Sequence, residues 1–213
     1  MKTLKIAVLV SGNGSNLQVL IDQSKAGRLP IDIVAVVSNK ANAYALIRAK
    51  NANIPTFVID KNEHGKTYKR AEFERLALDV LVPLGVDLVV LAGFMKILTP
   101  LFINGVKDEL NVPMINLHPS LLPNYKGLGT HERVLKAGER YHGCTVHLVT
   151  AELDAGQILS QAVLSVHPSD TPATLQNKVH VLEHQLLPRT IDFIARGVID
   201  VDTVGDVWRF WGD

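Results

Sequence analysis

The sequence has little of several features that mark large classes of protein. Its 213 residues include one cysteine, Cys144, which excludes an internal disulfide and a cysteine-rich metal site. The eight histidines show no ligand spacing typical of a metal site, so no metal ion is expected. No apolar run approaches the roughly 20 residues of a membrane-spanning helix. These absences favour a cytoplasmic enzyme or binding protein.

An excess of one charge is also missing. Lysine and arginine total 22 and aspartate and glutamate total 21, so the formal net charge is +1. A general binder of nucleic acid or membrane surfaces would carry a basic excess. We therefore expect small-molecule partners, with no nucleic acid and no membrane. A balanced net charge still allows a local basic pocket.

What the sequence has instead is a regular alternation of short β-branched runs and amphipathic stretches. Apolar runs typical of buried parallel strands occupy residues 6–10, 33–37, 56–59, 88–91 and 114–117. One helical pattern follows the first strand, with Leu17, Leu20 and Ile21. A longer one, closed by Pro83 and Gly85, consists of Phe73, Leu76, Ala77, Val80, Leu81 and Leu84. The alternation predicts an α/β fold, with a Rossmann-like, open, mostly parallel twisted sheet and helices on both faces.

The rhythm changes after Gly143. Strand-like runs at 144–149 and 157–166 are separated by seven residues, which suits a hairpin and predicts an antiparallel C-terminal portion of the sheet. A last helix is predicted from Thr174 to Arg196, and Pro188 should kink it. Its apolar side consists of Leu175, Val179, Leu182, Leu186 and Ile194. With no repeat and no linker, residues 1–213 are predicted to form one domain.

A Gly-rich turn at residues 11–16 joins the first strand to the first helix. Such a turn lets a backbone approach a ligand closely, and the start of the helix offers free N–H groups that favour a phosphate. Alternatively, Ser15 or Asn16 merely caps the helix. A dinucleotide fingerprint would need a third glycine where Leu17 stands and an acidic residue where Ser38-Asn39 stands. Without these, and without a Walker lysine, the turn predicts a site for a single phosphate group.

Asn116 and His118 follow a buried strand, at the carboxyl edge where open α/β sheets bind ligands. Residues two apart in a strand share a face, so an amide donor and an imidazole lie side by side. Two such donors can stabilise a developing oxyanion. The alternative is a structural histidine at a strand end, and the Asn-x-His pair ahead of a proline-stiffened loop favours function.

Asp154 lies between the two late strands, in an Asp-Ala-Gly stretch that could equally be a plain hairpin turn. If the chain folds back towards His118, this carboxylate favours the imidazolium form of the histidine. His147, on the strand just before, could line the same cleft. Cys144 is better explained as a small buried residue than as a nucleophile.

These segments together carry a family resemblance. The sequence from Val10 to Gln18 resembles the start of phosphoribosylglycinamide formyltransferases. Leu91 to Leu98 resembles that family's folate-side segment, Asn116 to Pro123 its catalytic loop, and His147 with 153–156 its third segment. The resemblance keeps the family's order over essentially the whole chain. It implies the formyltransferase fold and transfer of a formyl group from 10-formyltetrahydrofolate to the amine of glycinamide ribonucleotide, a step of purine synthesis.

The resemblance also implies roles for individual residues. The catalytic three would be Asn116, His118 and Asp154, supported by His147. The phosphate and ribose would be bound by Gly12, Asn13, Gly14, Ser15, Asn16, His180 and Glu183. The folate would be bound by Arg70, Met95, Lys96, Ile97, Leu98, Asn116, Thr150, Ala151, Glu152, Leu153 and Asp154. A cis peptide at Leu122–Pro123 and a monomer or weak homodimer follow by the same analogy, with residues 1–115 as the phosphate-binding half and 116–213 as the catalytic and folate-side half.

Three positions depart from the family pattern. Lys96 stands where an arginine is often found, and a lysine cannot make the planar bidentate contact of a guanidinium. Gly129 stands where some members have histidine, and His180 where a lysine or glutamine often helps to hold the phosphate. The stretch 104–113 is also longer than in compact members.

Three other functions compete with the transferase. Hydrolysis of 10-formyltetrahydrofolate is expected of a relative with an N-terminal regulatory domain, for which there is no room before Ile6. Formylation of methionyl-tRNA is expected of one with a C-terminal domain, whereas only 17 residues follow Arg196. A non-catalytic nucleotide-binding module would leave Asn116 and His118 without a role.

Overall fold

The computed structural model describes residues 3–203 and 207–212. The chain divides into two compact units, Met1–Ile115 and Asn116–Asp213. The boundary between the units falls where the two halves were expected to meet, and the functions assigned to these halves stay predictions. The prediction that residues 1–213 form one domain stays a prediction. The first and last residues of that range lie outside the described residues.

The first unit is built on parallel strands in the order β3-β2-β1-β4. The strands are β1 (Leu4–Val10), β2 (Ile31–Ser38), β3 (Thr56–Val58) and β4 (Leu88–Leu91). The helices are α1 (Ser15–Lys25), α2 (Tyr44–Asn51), α3 (Arg70–Leu81) and α4 (Pro100–Gly105). Residues 6–10 of β1 are fully buried, as expected of a central strand covered on both faces.

The buried face of α3 differs from the predicted one. It consists of Phe73, Glu74, Ala77, Leu78 and Leu81. Leu76, Val80 and Leu84, which were expected in the core, are only half-buried. The face is rotated because Glu74 turns inward, where its carboxylate accepts hydrogen bonds from the backbone N and the Oγ1 of Thr99 at 2.7 and 2.5 Å.

A 3₁₀ turn, Val82–Leu84, follows α3 and ends at Gly85, whose φ of 58° is left-handed. Pro83 and Gly85 therefore close this helix as predicted. The long stretch 104–113 is accommodated by a π-helical turn, Val106–Leu110, directly after α4. A π turn absorbs extra residues without breaking a helix.

The second unit contains strands in the order β5-β6-β7-β8. They are β5 (Met114–His118), whose first two residues belong to the first unit, β6 (Tyr141–Leu148), β7 (Ile158–Ser165) and β8 (Trp208–Trp211). β6 and β7 form the predicted antiparallel hairpin, and β8, which the sequence pattern did not indicate, runs parallel to β7.

Two helices complete the second unit, α5 (Thr130–Ala137) and α6 (Pro172–Ala195). α6 continues through Pro188, so this proline does not end it, and the predicted kink stays a prediction. Its buried side also includes Glu183 and Leu187, whereas Ile194 is half-buried. Among residues 3–203 and 207–212, no helix is both long and apolar enough to cross a membrane.

Candidate active site

The Gly-rich turn of the first unit is held in a shape that only glycine permits. Gly14 is the N-cap residue of α1 and has a φ of 75°. A Cβ atom at this position would lie 2.5 Å from the Cβ of Ala45. The capping alternative is wrong, because Ser15 and Asn16 are the first residues of the helix and no side chain caps it. The turn thus leads into the N-terminal end of α1, where the helix dipole favours an anion.

A cation that the sequence pattern did not single out braces this turn. Arg48, on α2, donates from Nε to the carbonyl of Asn13 at 2.9 Å and from Nη2 to the Asn13 side-chain oxygen at 3.0 Å. The backbone N–H of Ala45 donates to the carbonyl of Gly12 at 3.1 Å. Two residues of α2, Ala45 and Arg48, therefore fix the conformation of the Gly-rich turn.

Ser11 connects that turn to the segment at 93–98 within the same unit. Its hydroxyl donates to Asn39 Oδ1 at 2.6 Å and accepts the backbone N–H of Met95 at 2.9 Å. The Ser11 N–H donates to the carbonyl of Gly93 at 3.1 Å. Two segments assigned to different ligands by the resemblance are thus joined through one buried side chain.

The 93–98 segment presents apolar surface. The side chains of Met95 and Ile97 are 68% and 53% exposed, whereas Leu98 is buried. The Nζ of Lys96 lies 4.6 Å from the centre of the Phe73 ring, a cation–π contact. Arg70, at the start of α3, is exposed. The exposed pair and the cation suit a flat, partly charged ligand.

In the second unit, the predicted catalytic residues converge. His118 Nδ1 lies 3.5 Å from Asp154 Oδ2, and Asp154 Oδ1 lies 3.7 Å from His147 Nε2. The Nδ2 of Asn116 lies 3.1 Å from His147 Nε2. The His118 and Asp154 side chains are only 7% and 8% exposed. The chain therefore folds back at Asp154 as the functional interpretation required, and Asp154 has a left-handed φ of 49°.

The hydrogen bonds of His147 define its tautomer. Its Nδ1 lies 2.8 Å from the carbonyl of Leu148, which can only accept, so Nδ1 carries the proton. Burial lowers the pKa of His147 and keeps the ring neutral. Nε2 is then an acceptor for one N–H of Asn116. The second N–H of the Asn116 amide is held in a fixed direction.

The loop after β5 also contacts this cluster. The peptide Leu122–Pro123 is cis, as the resemblance implied. The carbonyl of Tyr125 lies 3.0 Å from His118 Nε2, and the N–H of Gly127 donates to Asp154 Oδ2 at 2.8 Å. Gly129, one of the three departures, is the N-cap residue of α5 with a φ of 67°, which favours glycine over histidine.

The other predicted residues of this unit are distributed as follows. His180 and Glu183 lie on α6, half-buried and buried respectively. Residues 150–153 are exposed. Cys144 is fully buried, and burial raises the pKa of its thiol well above the usual value, so a thiolate nucleophile is not formed here.

A histidine pair that sequence reasoning missed lies in the same unit. His131 Nδ1 and His142 Nε2 are 2.9 Å apart, with their rings in edge-to-face contact. Burial, and then the neighbouring His131 and His118, lower the pKa of His142 to about 4. Among the described residues, no group of three or more histidine, cysteine or acidic side chains could hold a metal ion.

Comparison with known proteins identifies the family of this chain. The model of the formyl transferase family matches residues 4–191. Phosphoribosylglycinamide formyltransferase of Haemophilus influenzae is 42% identical over 193 residues, 91% of this chain and 88% of the relative. The trifunctional purine biosynthetic protein adenosine-3 of Gallus gallus is 42% identical over 207 residues, but this chain spans only 20% of that protein.

Solved structures that resemble this chain belong to the same group of enzymes. Phosphoribosylglycinamide formyltransferase of Coxiella burnetii has a TM-score of 0.82 and 46% identity, covering 92% of this chain and 89% of that one. The enzyme of Anaplasma phagocytophilum has a TM-score of 0.85 and 36% identity, covering 100% of both chains. The predicted fold class is therefore confirmed. The chain belongs to the formyl transferase family, among the folate-dependent phosphoribosylglycinamide formyltransferases.

Proposed function

We propose that this chain transfers the formyl group of 10-formyltetrahydrofolate to the amine of glycinamide ribonucleotide, and that it does so by direct attack. The observation that carries the proposal is the convergence of Asn116, His118 and Asp154 in a chain of this family. The names of the relatives support the glycinamide substrate and the place of the reaction in purine biosynthesis.

The ribonucleotide phosphate binds at residues 12–16. The positive end of the α1 dipole stabilises a dianion there without a lysine. Arg48 adds a positive charge beside Asn13. His180 donates to the phosphate and Glu183 accepts from the ribose hydroxyls, roles that the family resemblance supports.

The family resemblance assigns folate binding to residues 93–98 and, separately, to residues 150–154. The exposed side chains of Met95 and Ile97 supply apolar surface for the pterin ring. Arg70 and Lys96 supply cations for the carboxylates of the folate tail, and Lys96 does so as a point charge because it lacks the guanidinium plane.

The first chemical step forms a bond between the neutral substrate amine and the formyl carbon. The carbonyl electron pair moves to oxygen, and the tetrahedral intermediate carries O⁻ and a positive nitrogen. The Asn116 amide donates its second N–H to this oxygen. His118 Nδ1 donates beside it, because the 3.5 Å gap to Asp154 is longer than a normal hydrogen bond and leaves that proton available.

The second step breaks the bond from the formyl carbon to folate N10, which takes the electron pair. Asp154 positions a water that accepts the amine proton and passes one to N10, so charge and protons balance. The proposal involves no covalent enzyme intermediate, and Cys144 has no part in it.

The test is a three-arm assay with 10-formyltetrahydrofolate. One arm contains glycinamide ribonucleotide, one contains methionyl-tRNA, and one contains only water as acceptor. We expect formyl-glycinamide ribonucleotide and tetrahydrofolate in equal amounts in the first arm alone. Formate release at the same rate in the water arm would indicate a hydrolase instead, and no consumption in any arm would indicate a binding module.

The proposal extends to the cellular setting. We place the protein in the cytoplasm as a monomer or weak homodimer, acting on small molecules only. Sedimentation at micromolar concentration, with and without substrates, measures the oligomeric state.

A further inference from the structure

Tyr125 has a backbone conformation that its side chain does not favour. Four residues other than glycine have positive φ among the described residues: Asn53, Asn111, Tyr125 and Asp154. Asparagine and aspartate adopt this region comparatively often, whereas a bulky tyrosine rarely does. The φ of 57° at Tyr125 is therefore the outlier, and such strain persists only where the surrounding contacts enforce it.

The strained conformation directs the Tyr125 carbonyl at His118. The oxygen lies 3.0 Å from Nε2, and since a carbonyl can only accept, Nε2 must carry a proton. Nδ1 then faces the Asp154 carboxylate at 3.5 Å. Each ring nitrogen of His118 therefore has an oxygen acceptor beside it, at 3.0 Å from Nε2 and 3.5 Å from Nδ1.

The same loop holds the other partner of the pair. Two residues after Tyr125, the N–H of Gly127 donates to Asp154 Oδ2 at 2.8 Å. Lys126, between them, forms a 3.0 Å ion pair with Glu152. The loop therefore fixes the imidazole from one side and the carboxylate from the other, which sets the gap between them.

Two side chains hold Tyr125 in place, Arg133 within α5 and Glu139 just after its C-terminal end. Its phenol donates to Glu139 Oε1 at 2.7 Å, and this hydrogen bond raises the pKa of Tyr125. The Arg133 guanidinium lies 5.4 Å from the centre of the Tyr125 ring and donates to the carbonyl of Lys126 at 2.6 Å. None of these contacts uses a residue that the resemblance assigns to a ligand.

We propose that Tyr125 is a positioning residue: held by Glu139 and Arg133, its main-chain carbonyl orients His118 so that Nδ1–H is the proton offered to the reacting oxygen. A second hydrogen bond commonly decides which imidazole nitrogen works in chemistry. The kinetic consequence rests on the proposed function, whereas the orientation of the ring does not.

Three variants and a control test this assignment. Tyr125→Phe and Glu139→Ala each remove the phenol–carboxylate hydrogen bond, and Glu139→Gln keeps an acceptor for it. Lys136→Ala changes an exposed residue of α5 and is the control. The readouts are kcat, both KM values, and the ¹⁵N and ¹H signals of the His118 ring in the ligand-free protein.

We expect Tyr125→Phe and Glu139→Ala to lower kcat about 5- to 20-fold, as the loss of one net hydrogen bond permits, with both KM values nearly unchanged. The His118 Nε2–H signal should shift and exchange faster with water. Glu139→Gln and Lys136→Ala should match the wild type in every readout.

Two results would overturn the proposal. One is wild-type kcat together with an unchanged His118 signal in both removal variants. The other is a fall in kcat with an unchanged His118 signal, because the effect would then not act through the ring. If the wild type transfers no formyl group, the proposed function fails, and the NMR comparison still decides the role of Tyr125. If Tyr125→Phe does not fold, the comparison of Glu139→Ala with Glu139→Gln, by kcat and by the His118 signal, tests the proposal in its place.

Discussion

His118 Nδ1 and Asp154 Oδ2 lie 3.5 Å apart with both side chains almost fully buried. This distance is too long for a strong hydrogen bond. In the proposed mechanism, the Nδ1–H group is therefore available to a substrate oxygen, with the carboxylate beside it.

Replacing Asp154 by asparagine tests the role of the carboxylate. The amide keeps the size of the side chain but cannot take part in the proton transfer as a base, so kcat should fall roughly 10²- to 10⁴-fold. Asp202→Asn, at an exposed position, is the control and should keep wild-type turnover. Steady-state kinetics with both substrates saturating gives the comparison, and turnover within threefold of wild type would remove Asp154 from the proton transfer.

His147 is expected to act through Asn116. His147→Leu removes the acceptor for one Asn116 N–H, and the freed amide should rotate, lowering kcat about 5- to 10-fold for the loss of one hydrogen bond. His147→Gln offers a carbonyl oxygen in its place and should recover part of the rate. Equal rates in the two variants would show that the acceptor at Nε2 does not orient Asn116.

Gly14→Ala separates backbone strain from a direct clash. At Gly14 a Cβ would meet Ala45 at 2.5 Å, whereas at Gly27, with a similar φ of 67°, it would meet nothing within 4 Å. Gly27→Ala should cost about 1 kcal/mol of unfolding free energy, from the left-handed backbone alone. Gly14→Ala should cost more, by 1–3 kcal/mol of overpacking, and should raise KM for the ribonucleotide. Urea unfolding and initial-rate kinetics measure both, and equal effects of the two variants would contradict the packing account.

His142 makes stability depend on pH. Its folded-state pKa of about 4 lies below the unfolded value of 6.5, so the folded state binds this proton less readily. The stabilisation is complete above pH 6.5 and is lost as pH falls towards 4, by roughly 3 kcal/mol in total. Urea unfolding of wild type and His142→Gln between pH 7.5 and 4 should show a shallower loss in the variant. His64→Gln, at an exposed histidine, should follow the wild type.

Much of the fold was predictable because its signals are local. Five strands of the alternating part and the β6–β7 hairpin followed from apolar runs and spacing, although β3 is not buried. The inward turn of Glu74 was not predictable, since a glutamate in a helical pattern indicates a surface. Its burial depends on Thr99, which lies in a different segment.

The site was predictable to a similar extent. The pair Asn116 and His118 follows from strand geometry, and Asp154 was a candidate whose return to His118 no spacing could show. Arg48 and Tyr125 were missed for a physical reason: a helix-surface arginine and a loop tyrosine carry no sequence signal for the backbone atoms that they contact.

The central claim is that Asn116 and His118 donate to one oxyanion, and a double-mutant cycle measures this most directly. Single-turnover formyl transfer to glycinamide ribonucleotide is recorded for wild type, Asn116→Ala, His118→Ala and the double variant. Each single change should slow the chemical step roughly 10²- to 10³-fold, and the double variant should lose much less than the product of the two. Single variants within tenfold of wild type, or losses that multiply, would contradict a shared oxyanion site.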